Sequence, residues 1–377
     1  MSAKIYPITM PKWGMTMEEG IVTSWLVNEG EIVNLGDELA EIETEKLANV
    51  VESQASGILM RHLVNEGDTY AVGSLLGIIV DGEVSEQEIS LFIQNFSSKQ
   101  IIEKDRLQNA NSNKTIKVGN IELSFLELGP DDTETQGLVF VHGFGGDLSS
   151  WSLNQTGLSG TFRTLAFDLP GHGSSGLQVS TGSVTELANE LLLAIEKKKF
   201  EPIHLVGHSL GGAIALMMAL QKPEFIKTIS LICPVYNGCN VNIEFLDGFL
   251  DADSRKAMKD VLGMLYFDTK AINRKFIDET LRFKRFDGAK EALLKIRGSN
   301  FTESGEYTGK DADLKDIGVP IQIINGGNDK IVYQTSVNDL PSNVEVHEIE
   351  GTGHMPQMEQ YGQVNDLIKR FVINNSG

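Results

Sequence analysis

At 377 residues, with 41% apolar residues, the chain is long enough for two globular units. A formal net charge of −20 argues against nucleic acid or an anionic membrane as a partner, because binding phosphate needs clustered Lys and Arg. The two cysteines, Cys233 and Cys239, form no CxxC pair, so neither a disulfide framework nor a metal site is expected. The first residues, "MSAKIYPITMPKWGM", have neither an apolar nor an Arg-rich leader pattern, and no run reaches membrane-spanning length. A cytoplasmic protein is therefore expected.

Residues 1–82 carry 13 Asp/Glu against 4 Lys/Arg and contain an internal repeat. At an offset of 37, "GIVTSWLVNEGEIVNLGDELAEI" (20–42) overlies "GILMRHLVNEGDTYAVGSLLGII" (57–79), with 10 of 23 positions identical, including the whole VNEG tetrapeptide. Two copies are too few for a solenoid. Each copy reads as short strands broken at Gly, and neither can bury a core alone, so a small β-sandwich is predicted. The connection between the halves runs from about Glu43 to Ser56. If one strand ends at Ile42 and the next begins at Val50–Val51, "ETEKLAN" is a hairpin tip that holds Lys46 out from the core.

These residues resemble a lipoyl domain, whose family presents a lysine in an E-T-[DE]-K hairpin; Thr44, Glu45 and Lys46 match it. Related biotinyl domains show Met-Lys-Met, whereas Glu45 and Leu47 flank the lysine here. The resemblance implies lipoic acid attached covalently to Lys46. Such a dithiolane arm carries acyl groups as thioesters, which no native side chain does well.

Residues 83–114 read as a linker. "SEQEISLFIQNF" opens with a capping box, Ser85 with Glu88, ahead of Ile89, Leu91, Phe92, Ile93 and Phe96, which predicts a short helix. The polar stretch 97–114 reads as a tether whose root-mean-square span, if flexible, is roughly 20–25 Å.

From residue 115 to 377 apolar strand runs alternate with helical stretches. "GLVFVHG" (137–143), "RTLAFDLPG" (163–171), "IHLVGHS" (203–209), "TISLICP" (228–234) and "VPIQIINGG" (319–327) predict a buried, mostly parallel sheet, interrupted by a helical insertion over about 236–312. "GHSLGG" (207–212) fits G-x-S-x-G between a strand and a helix, the nucleophile elbow of an α/β-hydrolase. A serine hydroxyl needs a base, and the base needs an orienting acid. With the fold's order of Ser, acid, His, the candidates are Ser209 as nucleophile, Asp329 as acid and His354 as base. The backbone N–H groups of Phe144 and Leu210 are the candidate oxyanion donors, Phe144 lying in the glycine-rich "VHGFGG". His142, His172 and His208 read as structural, and His62, His204 and His347 as bystanders. "GHGSSG" (171–176) satisfies G-x-G-x-x-G but belongs to the "DLPGHGSS" loop, so no nucleotide site is expected. Asp168 precedes the serine and is out of order as the acid.

A lipoyl carrier joined to an α/β-hydrolase resembles, over essentially the whole chain, the dihydrolipoamide acetyltransferase component of bacterial acetoin dehydrogenase systems. That resemblance implies a thiamine-diphosphate acetoin dehydrogenase component that loads the lipoyl arm. It also implies coenzyme A as acceptor and dihydrolipoamide dehydrogenase as a further partner. The H-x-x-x-D-G motif of 2-oxoacid dehydrogenase acyltransferases is missing, so their mechanism does not carry over. Two alternatives stay open: a serine hydrolase of esters or C–C bonds tethered by its lipoyl module, and a carrier with a silent hydrolase domain. The expected function is acetyl transfer from dihydrolipoyl-Lys46 to coenzyme A through Ser209, with transfer to water as the alternative.

Overall fold

The computed structural model describes residues 4–11, 19–44, 48–82, 84–86, 88–90, 92–93, 113–130, 132, 135–309, 313–333 and 340–375. The chain divides into two compact units, residues 1–108 and 109–377.

The first unit holds eight strands: β1 (Lys4–Thr9), β2 (Glu19–Trp25), β3 (Ile32–Val33), β4 (Glu38–Glu43), β5 (Ala48–Glu52), β6 (Gly57–His62), β7 (Thr69–Ala71) and β8 (Leu75–Asp81). They form two four-stranded antiparallel sheets, in the orders β1-β8-β6-β3 and β5-β4-β2-β7. The 37-residue repeat lays β2, β3 and β4 over β6, β7 and β8. Each half gives its short middle strand to the other half's sheet, so neither closes without its partner. The core between the sheets draws on both: Val22, Leu39 and Ile42 from one half meet Leu59, Leu76 and Ile79 from the other, all at most 1% exposed. The repeated glycines answer a backbone demand. Gly30 and Gly67 stand at φ 89° and 86°, and Gly36 and Gly73 at 91° and 85°, where a Cβ is strained.

Glu43 pairs with Ala48 in the β4–β5 hairpin, so its connection is 44–47 and β5 begins two residues before the predicted Val50. Lys46 belongs to that connection, and residues 45–47 lie outside the described ones. The predicted capping box forms: Glu88 accepts from the Ser85 backbone N–H at 2.8 Å, and Ser85 Oγ accepts from the Glu88 N–H at 3.3 Å. Residues 86, 88–90 and 92–93 are helical. Residues 97–112, most of the predicted tether at 97–114, fall outside the described residues, and Lys114 already begins a strand.

The second unit is an eight-stranded sheet of β9 (Lys114–Val118), β10 (Ile121–Leu128), β11 (Gly137–Val141), β12 (Arg163–Phe167), β13 (Ile203–His208), β14 (Ile226–Ile232), β16 (Ile321–Gly326) and β18 (Val344–Ile349). Their order is β18-β16-β14-β13-β11-β12-β10-β9, and the six strands from β18 to β12 run parallel. Helices cover both faces, so the central strands are apolar on both sides. Val139 and Val141 face the helices α2 (Val184–Lys198) and α3 (Leu210–Gln221). Leu138 and Phe140 face the layer that holds α1 (Ser152–Leu158) and α9 (Tyr361–Asn374). Helix α3 is buried from Leu210 to Ala219, as its unbroken apolar run requires.

Between β14 and β16 the insertion holds α4 (Ile243–Asp251), α5 (Arg255–Leu262), α6 (Arg274–Lys284) and α7 (Ala289–Asn300). It is not wholly helical: β15 (Asn240–Val241) pairs with β17 (Val332–Tyr333), beyond β16. The short helix α8 (Pro356–Glu359) precedes α9. Among the described residues, no helix is long and apolar enough to cross a membrane.

Candidate active site

Five loops leave the C-terminal ends of adjacent parallel strands and converge, as ligand sites do in parallel α/β sheets. After β13 comes Ser209, at φ 54° and ψ −121°, a conformation that only glycine adopts without strain. Both flanking glycines are sterically required. A Cβ on Gly207 would lie 2.4 Å from the Gly211 carbonyl oxygen, and one on Gly211 would lie 2.2 Å from that of Val141. The turn is pinned by backbone bonds: the Ser209 N–H donates to the Ile232 carbonyl at 3.0 Å, and its own carbonyl accepts from Gly212 and Val235. The serine is only 7% exposed.

His354, in the loop after β18, has an almost fully buried ring whose Nδ1 sits 2.8 Å from Asp329 Oδ2. The other Asp329 oxygen accepts from the backbone N–H groups of Ile331 (2.7 Å) and Val332 (3.3 Å). Burial by itself would raise the Asp329 pKa. The adjacent His354 and these hydrogen bonds outweigh it and hold the carboxyl below its ordinary value. Ser209 and His354 line one cavity of about 150 Å³. Among the described residues, no hydrogen bond joins Ser209 Oγ to the imidazole, a looseness usual before substrate binds.

The loop after β11 brings Phe144 to the same cavity, and a Cβ on Gly143 would lie 2.9 Å from Ser209 Cβ. Among the described residues, neither the Phe144 nor the Leu210 backbone N–H has an acceptor. Leu210 is the first residue of α3, so its N–H is one of the donors that a helix start leaves free.

His142 and His172 hold this loop in place. His142 Nε2 accepts from the Leu169 N–H at 3.0 Å, and His172 Nε2 accepts from the Gly145 N–H at 3.1 Å. Burial pushes His172 down to about 3, so it stays neutral and able to accept. His208, whose Nε2 lies 2.8 Å from the His354 carbonyl oxygen, is likewise pushed down to about 3 by burial and by His354. Asp168 accepts from the backbone N–H groups of Leu148 and Ser174, and faces the loop rather than the imidazole of His354.

Residues 137–361 match the family described as alpha/beta hydrolase fold, and residues 6–79 match the biotin/lipoyl family described as biotin-requiring enzyme. The chain is 35% identical to a dihydrolipoyllysine-residue acetyltransferase component of an acetoin cleaving system from Pseudomonas putida, covering 98% of this chain and 99% of that one. A protein of the same description from Cupriavidus necator is 33% identical, covering 99% and 98%. The chain belongs to this acetyltransferase-component family. Among solved structures, a meta-cleavage product hydrolase from Pseudomonas fluorescens is similar in fold, with a TM-score of 0.61, 20% identity, and coverage of 70% of this chain and 98% of that one.

In this member of the acetyltransferase-component family the cavity is roofed by the insertion. Phe245 and Phe249 of α4 and Phe276 and Phe283 of α6 line it, and Phe249 meets Phe144 with ring centroids 5.9 Å apart. The helical spacing of these aromatics was visible in the sequence; their convergence on Ser209 was not. Cys233, to which the sequence assigned no role, directly follows β14. Its Sγ, an Asp329 oxygen and a His354 ring nitrogen all lie within 4.8 Å of one another. Burial, then the Asp329 charge, raises the thiol's pKa well above its ordinary value, so it is a neutral neighbour of the carboxylate.

Proposed function

We propose that this chain transfers an acetyl group from a lipoyl thioester to coenzyme A through an acyl-serine on Ser209. One observation carries the reading: an imidazole fixed by an ionised carboxylate, His354 Nδ1 to Asp329 Oδ2 at 2.8 Å, in one cavity with a serine held on a strained turn. The two acetyltransferase-component relatives, matched over nearly their whole length, supply the substrate class.

Lys46 is the residue that would hold lipoic acid. It falls in the four-residue connection of a paired β-hairpin, the kind of position that offers an amine for acylation. When bound, the dithiol carries the acyl group as a thioester. Ser209 Oγ attacks the thioester carbonyl while His354 Nε2 takes its proton, and the carbonyl oxygen turns its developing charge toward the Phe144 and Leu210 N–H groups. His354 then returns the proton to the departing sulfur. In the second half His354 deprotonates the acceptor thiol, which attacks the acyl-serine, and the proton goes back to Ser209. Asp329 keeps the imidazole in the tautomer that leaves Nε2 free to accept. The same reading makes the chain one component of a multienzyme acetoin-cleaving system. Its partners would then be a thiamine-diphosphate acetoin dehydrogenase component and dihydrolipoamide dehydrogenase, which would load and recycle the arm that Lys46 would hold.

The deciding experiment uses full-length, lipoylated chain carrying acetyl on its arm, with acetyl-CoA and free acetate both measured. Native protein should form mainly acetyl-CoA and Ser209→Ala almost none. Acetyl-CoA formation at the native rate by the variant would end the serine mechanism, and free acetate as the main native product would end the transferase reading.

A further inference from the structure

The chain carries −20 overall, yet residues 255–297 of the insertion hold twelve Lys and Arg against six Asp and Glu. That segment is +6, and the remainder is −26. Six of its cations, Lys256, Lys259, Lys270, Lys275, Arg282 and Arg285, are exposed and have no anionic partner within ion-pair distance among the described residues. Lys290 and Arg297 pair with Asp251 and Asp247 just before this segment. The whole insertion, 236–312, balances 13 Lys and Arg against 13 Asp and Glu. The positive field is therefore local to the exposed cations that close no ion pair.

Helix α6 places part of that field at the cavity. Phe276, Glu279, Thr280 and Phe283 line the cavity from this helix. Lys275 and Arg282 stand four before and three after Glu279, on the adjoining ridge of the same helix. Neither closes an ion pair with Glu279. The next acid, Asp278, is already taken by Arg255 at 2.5 Å and approached by Arg274 at 3.8 Å. Arg282 also acts on Asp278 from beyond ion-pair distance. The rim thus presents two cations that close no ion pair, beside Glu279 and next to the walls between which an acceptor must pass to reach Ser209.

We infer that Lys275 and Arg282 bind the phosphate groups of the thiol acceptor, so that the acceptor's nucleotide end stays on the α6 rim while its thiol enters the cavity. The inference rests on the acyl-transfer reading above and adds to it where the anionic part of coenzyme A is held. An acceptor of this class is a narrow, uncharged arm ending in a thiol, with several phosphate charges at its far end. The site mirrors that distribution, with aromatic walls inside and unpaired cations outside. Exposed charge pairs are individually weak, so the effect belongs to the pair of residues and to several phosphate charges acting together.

The test compares coenzyme A with pantetheine, the same thiol arm without phosphates. Full-length native protein and a Lys275→Glu, Arg282→Glu double variant are assayed with saturating free S-acetyldihydrolipoamide as donor. The variant should raise KM for coenzyme A by about tenfold or more, with kcat and the pantetheine KM within about twofold of native. Raising ionic strength should raise the native KM for coenzyme A and leave that for pantetheine flat. An unchanged coenzyme A KM, or equal changes for both thiols, overturns the inference and leaves the basic rim for an acidic protein surface. If native protein acetylates neither thiol, the acyl-transfer reading itself has failed. That result is distinct from a native enzyme that uses both thiols equally well, which overturns the phosphate site alone.

Discussion

Ser209 bears a strain that can be measured. At φ 54° and ψ −121° its Cβ costs of order 1–3 kcal/mol relative to a glycine in the same place. Ser209→Gly releases that cost, but the freer unfolded chain returns about 0.4–1 kcal/mol, leaving a net gain of about 1–2 kcal/mol. Ser209→Ala keeps the Cβ and therefore the strain. Among the described residues Ser209 Oγ makes no hydrogen bond whose loss would complicate the comparison. For a unit spanning residues 109–377, a gain of that size raises Tm by about 3–6 °C. Differential scanning calorimetry of the full-length chain, following the transition of the larger unit, should show the glycine variant melting above native and the alanine variant close to it. Both should be inactive in acetyl transfer. A glycine variant no more stable than the alanine variant would refute the claim that the turn is strained for the sake of presenting the hydroxyl.

Asp329→Asn should slow labelling of Ser209 by a fluorophosphonate by roughly 10³–10⁴-fold, because an amide no longer selects the Nδ1–H tautomer of His354. The far-ultraviolet spectrum should be unchanged, and labelling at the native rate would remove Asp329 from the mechanism. His204, 2.9 Å from Thr228 Oγ1, has its folded pKa lowered to about 4, first by burial and then by Lys227. The unfolded chain therefore takes up this proton first, and native stability should fall as pH drops from 6.5 toward 4. The slope is about 1.4 kcal/mol per pH unit. In urea unfolding, His204→Gln should narrow its stability gap to native by about 2 kcal/mol between pH 7 and pH 5, and a pH-independent gap would contradict this. Gly207→Ala should cost about 3 kcal/mol or prevent folding, since its Cβ meets backbone rather than a yielding side chain. Gly298→Ala, in α7 with nothing within 4 Å of its Cβ, should instead add about 0.5–1 kcal/mol.

Much of this was readable from residue order because local rules dominate at those positions. The runs 137–143 and 203–209 announce strands through sheer apolar continuity, and strand ends drifted only where the chain turns into loops, as after Phe167. The G-x-S-x-G glycines are local too, since the atoms a Cβ would strike belong to the elbow and to the strand beside it. The repeat predicted a two-layer sandwich, but not that β3 and β7 change sheets; two- and three-residue strands carry too little pattern to choose a partner. Cys233 was illegible for a different reason. Its meeting with Asp329 and His354 depends on β14 lying between β13 and β16, a neighbour relation that no spacing in the chain records.

The insertion gives the two halves of the proposed reaction different surroundings. An acyl-serine beneath Phe249 and Phe283 offers water few hydrogen-bond partners, whereas a thiol is weakly solvated and enters an apolar passage at little cost. Selectivity for thiol over water can therefore arise from walls that do not touch the reacting atoms, while Asp329, His354 and the Phe144 loop serve either acceptor equally. This chain's likeness in fold to a hydrolase fits the same division. In the proposed reaction the catalytic loops belong to the parallel sheet, and the choice of acceptor would belong to the segment inserted between β14 and β16.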